Sequence, residues 1–146
     1  MNKKLCSTID YYAKENGLIP ELYPDLHELE KDEVGFLSYD DYQNAVKFAL
    51  NHREMNYTKK TINGIKMWET ANHALCRFNS VINHLNKKHY NESLLIVSHS
   101  SILNLYFADK LGLLSSVYER YQSNAPCDWG CIINNSISID IAHKYT

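Results

Sequence analysis

One stretch of eight residues constrains this chain more than any other: Leu94-Leu95-Ile96-Val97, followed directly by Ser98-His99-Ser100-Ser101. Four consecutive apolar residues have no polar face to give to solvent. The run therefore reads as a strand covered by helices on both faces, as in a parallel sheet. A helix is expected over about 101–111, with Ile102, Leu105, Tyr106 and Leu111 inward and Gly112 as its C′ residue. In an α/β sheet, ligands bind beyond the carboxyl ends of strands, which is where this junction falls. A helix start there offers free N–H groups and a positive dipole end, both suited to phosphate. His99 can donate to a phosphoryl oxygen, and Ser100 and Ser101 can cap the helix or touch the same anion. From position alone, a second reading stands equal, in which His99 caps the strand end and hydrogen-bonds locally.

The rest of the chain supplies helices for such a sheet. Residues 5–16 read as a helix with Leu5, Ile9, Tyr12 and Ala13 on one side and Gly17 as the stop. Residues 18–22 are extended around Pro20, and a loop runs from Tyr23 through an acidic stretch to Gly35. Ser38 is an N-cap for a helix over about 39–52, with Asp40 and Asp41 in its first turn. Trp68, Ala71, Leu75, Phe78, Ile82 and Leu85 recur at steps of three and four, which predicts a helix over about 67–88. Glu69, His73 and Arg77 lie at i, i+4 and i+8 on its flank, a spacing that usually marks a solvated ion-pair stripe. A short helix is expected over 115–122. Two strands, at 130–133 and 136–141, should be joined by a turn at Asn134-Asn135.

Composition narrows the function classes. At 146 residues the chain suits one domain, and 45% hydrophobic with 22% charged residues is a globular balance. A net charge of −2 gives no electrostatic basis for capturing nucleic acid. No apolar run approaches the length of a membrane span, and the first residues lack the apolar core of a signal peptide. A cytoplasmic protein without membrane or nucleic-acid partners is the expectation. Cys127-x3-Cys131 invites a zinc reading, but no second short-spaced pair follows, so unligated thiols and no metal or cofactor are expected.

The run Leu95-Ile96-Val97-Ser98-His99-Ser100-Ser101-Ile102, followed by Leu111-Gly112-Leu113, resembles the histidine phosphatase (phosphoglycerate-mutase-like) pattern of an apolar strand, Ser-His-Gly, a helix and Leu-Gly-Leu. Ser100 stands where that family usually has Gly. The resemblance implies that His99 is the second, non-nucleophilic histidine, which stabilises the phosphoryl group in transfer. Aligned on Thr8, the family's second phosphate-binding Arg falls on Lys4, which keeps the charge but not the bidentate fork. Leu26-His27-Glu28 matches the family's Leu-x-Glu loop, making Glu28 the implied proton donor, and Glu69 and Arg77 match its Glu-Ser…Arg helix as supporting residues. The implied ligand is a phosphorylated small molecule or phosphate. The implied fold is a partial three-layer α/β sandwich, with a mostly parallel sheet between helices and its first strand missing.

That family's first strand ends in Arg-His-Gly, whose His takes the phosphoryl group, and no Arg-His-Gly occurs in these 146 residues. His27, His52, His73, His84, His89 and His143 have no strand-end context that could replace it. The strand at 94–97 would lack a neighbour as well as a chemical partner, and an exposed sheet edge invites pairing. Three outcomes are expected: a homodimer through that edge, a complementing N-terminal segment or other chain, or rearrangement of the C-terminal strands to cover it. Functionally, phosphomonoester hydrolysis completed by such a segment competes with a non-catalytic module that binds phosphorylated ligands or a protein. A purely structural domain stands behind both. Thiol-based hydrolysis is remote, since no Cys precedes a helix in a phosphate-loop pattern.

Overall fold

The computed structural model describes residues 3–32 and 37–145, with side chains from residue 9 onward. It contains helices α1 (Lys3–Glu15), α2 (Tyr39–Asn51), α3 (Ala71–Lys88), α4 (Ser100–Leu111) and α5 (Val117–Ser123). The strands are β1 (Thr58–Thr61), β2 (Gly64–Met67), β3 (Cys131–Ile133) and β4 (Ser136–Ile139).

Capping chemistry sets the helix starts. Ser38 Oγ accepts from the Asp41 N–H at the head of α2, and Thr70 Oγ1 accepts from the His73 N–H at the head of α3. Thr70 therefore starts α3 at Ala71, a few residues later than the apolar periodicity suggests. Trp68 joins the core from the extended approach to the helix instead. The stripe Ala71, Leu75, Phe78, Ile82 and Leu85 is buried as its spacing requires. At the tail of α4, Gly112 takes φ +69°, the left-handed turn that ends helices.

α4 is the centre of the molecule. Ile102, Asn104, Leu105, Tyr106, Phe107 and Ala108 are all buried, so this helix is enclosed on several sides rather than along one stripe. α3, α5 and the β4 hairpin pack around it, and α2 closes against α5. Leu50, Trp68, Phe78, Ile102, Leu105 and Val117 fill the space between them. Leu111, expected inward, is instead partly exposed near the end of α4.

The sheet departs from expectation. Both strand pairs among the described residues are antiparallel hairpins, β1 with β2 and β3 with β4, and no mostly parallel sheet is formed. Residues 94–97 form no strand and have no strand partner among the described residues, and Leu94 and Leu95 face solvent. The physical reason is local: a strand exists only through its neighbour's hydrogen bonds, and the C-terminal strands have satisfied each other. Asn134 and Asn135, at φ +49° and +64°, make the tight turn that closes β3 on β4. The expected rearrangement of those strands onto 94–97 therefore does not occur. The α/β composition stands, with helices dominant.

The hairpin β1–β2 was not anticipated from sequence. Its turn carries Asn63-Gly64, with Gly64 at φ +111°. No alternation of apolar and polar residues marks the strands, because Thr58–Thr61 and Gly64–Met67 bury little.

Candidate functional site

The segment 94–97 delivers Ser98 and His99 to the head of α4. His99 is the N-cap residue, with φ −101° and ψ 156°, and its side chain makes no capping bond. The first N–H groups of any α-helix have no intrahelical partner. Ser38 and Thr70 supply one at α2 and α3, whereas the His99 side chain supplies none at α4. Ser98 Oγ donates to the Leu26 carbonyl, which ties the strand end to the loop bearing Glu28.

Ser98, His99 and Ser100 line one open cleft of about 550 Å³. Its far wall comes from Tyr39 and Gln43 of α2 and from residues 121–128 after and within the end of α5. An amide pair, the buried Asn104 and the half-buried Asn124, holds that wall. Asn104 Nδ2 donates to the Ser100 carbonyl and to Asn124 Oδ1, both at 2.9 Å, and Asn124 Nδ2 donates to the Ile141 carbonyl. The first turn of α4 is thus pinned to the loop opposite it. Ser101, expected to cap or touch the anion, is buried beneath this turn and does not line the cleft.

Glu28 is not part of the cleft wall. Its carboxylate is close enough to act on the His99 imidazole through its charge. Burial pushes the His99 imidazole below its ordinary pKa, the Glu28 carboxylate opposes this, and the Lys31 and His27 charges add to it. Lys31, which sequence reasoning passed over, donates to Tyr42 Oη and lies over the Trp68 ring, 4.6 Å from its centre.

Glu69 and Arg77 form no solvated stripe. Their side chains are 5% and 12% exposed, and Arg77 is a clamp. It bonds both carboxylate oxygens of Glu69, and it donates to the carbonyls of Asp25, His27 and Glu28 at 2.7, 3.1 and 2.8 Å. Glu69 in turn accepts from the Glu30 N–H. Burial works to raise the Glu69 carboxyl, but the Arg77, Glu30 and His73 hydrogen bonds prevail and hold it at about 2. The loop that carries Glu28 is therefore fixed by two side chains more than 35 residues away in sequence.

Lys4 lies in α1, and its side chain falls outside the described residues. Cys127 is exposed and Cys131 partly so; among the described residues no three His, Cys, Asp or Glu side chains gather as a metal site would need. No described helix is long and apolar enough to cross a membrane. The wall residues Tyr39, Gln43, Tyr121 and Asn124 carried no sequence signal, since nothing in their spacing brings them to His99. The cleft exists only because α2 and α5 pack together.

Searches of curated proteins and of solved structures returned no significant match. A family model does match, that of the histidine phosphatase superfamily (branch 1), over residues 3–133. That span includes the strand-end His99, the Glu28 loop and the Arg77 clamp, and the chain belongs to the histidine phosphatase superfamily.

Proposed function

We propose that this chain carries the phosphate-stabilising half of a phosphomonoester-transfer site, and that by itself it binds phosphate esters without turning them over. The observation that carries this is the junction at residue 99: a histidine at an uncapped helix start, flanked by Ser98 and Ser100 in one cleft and within charge range of Glu28. In this reading His99 donates to a phosphoryl oxygen while the free N–H groups of α4 neutralise developing charge. Ser100 and Ser101 shape the helix head, and Lys4 adds a cation from α1. Glu28 gives its proton to the leaving alkoxide as the P–O bond breaks, then takes one from the water that hydrolyses the phosphohistidine. Glu69 and Arg77 hold Glu28 in place for both steps.

Covalent transfer needs a nucleophile facing the acid and the charge clamp together, and these 146 residues contain no Arg-His-Gly segment to carry the family's attacking imidazole. The reading assigns it to a separate strand that pairs with 94–97. Backbone that pairs with no strand among the described residues, beside exposed Leu94 and Leu95, supports such an addition, from a complementing segment or a second copy. With that strand in place, 94–97 would become an inner strand of the mostly parallel, three-layer arrangement of the family. Exposed thiols at Cys76 and Cys127 suit a reducing compartment, so the cytoplasm is the proposed location.

The test has two parts. p-Nitrophenyl phosphate hydrolysis by the purified chain should stay at background. Inorganic phosphate should shift the amide resonances of Ser98–Ser101 in the wild type and not in His99→Ala. Turnover by the chain alone would refute the division of labour, and silent amides at 98–101 would refute the phosphate site. The second reading, a non-catalytic binding module, is favoured if adding extended peptides never restores turnover while phosphate binding persists.

A further inference from the structure

The cleft beside His99 is larger than a phosphate group needs, and its walls are electrically one-sided. Among the described residues no Lys or Arg side chain lines it. Apart from His99, the one lining side chain of clear charge among the described residues is Asp128. Asp128 accepts from the Ala125 N–H at 2.7 Å, and Lys144 Nζ donates to it at 2.9 Å. That cation is spent on the carboxylate and does not itself face the cleft. The remaining polar lining is neutral: the Tyr39 and Tyr121 phenols and the Gln43, Gln122 and Asn124 amides. Burial pushes the Tyr121 hydroxyl up to about 12, so it stays a neutral hydrogen-bonding group at any physiological pH.

We infer that the site takes phosphomonoesters of uncharged, hydrogen-bonding alcohols and discriminates against those that carry a second anionic group. The inference rests on the phosphate reading above and adds the identity of the ester's other end. A phosphate at the head of α4 leaves most of the 550 Å³ for the alcohol portion, which meets phenols and amides. A carboxylate or second phosphate in that space would meet no Lys or Arg among the described lining residues and would approach Asp128. To recruit Lys144 it would have to break the Lys144–Asp128 pair. Neutral hydroxyl, amide or ring groups satisfy the same walls without that cost.

The experiment titrates the full chain with inorganic phosphate, uridine 5′-monophosphate and 3-phosphoglycerate, followed by amide chemical shifts. All three should shift Ser98–Ser101. The uridine ester should also shift Gln43, Tyr121 and Asn124 and bind about tenfold more tightly than 3-phosphoglycerate. In Ala125→Lys, an exposed substitution on the cleft wall that removes no hydrogen-bonding side chain, 3-phosphoglycerate should gain about fivefold in affinity while the uridine ester changes little. Equal or tighter binding of wild type to 3-phosphoglycerate would overturn the inference and leave the phosphate site intact. Uridine-ester shifts confined to 98–101 would do the same. Silence at 98–101 with all three ligands would remove the phosphate site itself, and the selectivity with it.

Discussion

At the scale of single residues, Arg77 does the most positioning. Its guanidinium satisfies one buried carboxylate and three loop carbonyls, so its loss strands a charge and frees a loop at once. Arg77→Ala should destabilise the fold by about 3–5 kcal/mol, the range for breaking a buried ion pair from one side, measured by urea denaturation. Arg77→Lys should recover only part of this, because an ammonium cannot span the carboxylate and the carbonyls. The same pair sets a pH dependence. Glu69 is held at about 2 against an ordinary 4.5, so the unfolded chain binds the proton more readily. Its stabilising contribution is complete above about pH 5 and is lost as pH falls through 4.5 toward 2. Arg77→Ala should flatten that part of the stability profile; an unchanged slope would mean that other carboxylates set it.

At the scale of elements, the β3–β4 hairpin is seated on α4 through Gly130. A Cβ there would meet the Phe107 ring at 2.5 Å and the Ile139 carbonyl at 3.0 Å. Gly130→Ala should cost about 1–3 kcal/mol by overpacking, seen as a lowered urea midpoint with the m-value kept. Elements written in local chemistry were legible: α2 through Ser38, α4 through Gly112, the hairpin turn through Asn134-Asn135, and the α3 stripe through its period. Elements that depend on a distant partner were not. Leu94–Val97 has the composition of an inner strand, yet strand pairing is a two-body property and its neighbour is not among the described residues. The Glu69–Arg77 spacing looked like a surface stripe because the loop that buries it arrives from residues 25–30. His99 was legible as a junction residue, whereas the cleft wall opposite came from the packing of α5 on α2.

At the scale of the whole molecule, the described residues form a helical core beside which residues 94–97 pair with no described strand. Leu95 is 59% exposed beside backbone that pairs with no strand, a combination that invites addition of another extended chain. Sedimentation velocity of the wild type should show mass rising with protein concentration. Leu95→Lys should hold the chain monomeric and change its unfolding free energy by less than about 0.5 kcal/mol, as an exposed position allows. A monomeric wild type at high concentration would point to a complementing segment rather than a second copy. A large loss of stability in Leu95→Lys would mean that this leucine already packs within the monomer.

The Arg77 clamp also bears on how this molecule can change. Its guanidinium reads the loop only through the carbonyls of Asp25, His27 and Glu28, atoms that every amino acid possesses. The loop's shape is thus uncoupled from its spelling. Side chains at 25 and 27 can be exchanged to recruit new ligands, while the acid at 28 keeps its place so long as one arginine, far away in the sequence, is left alone.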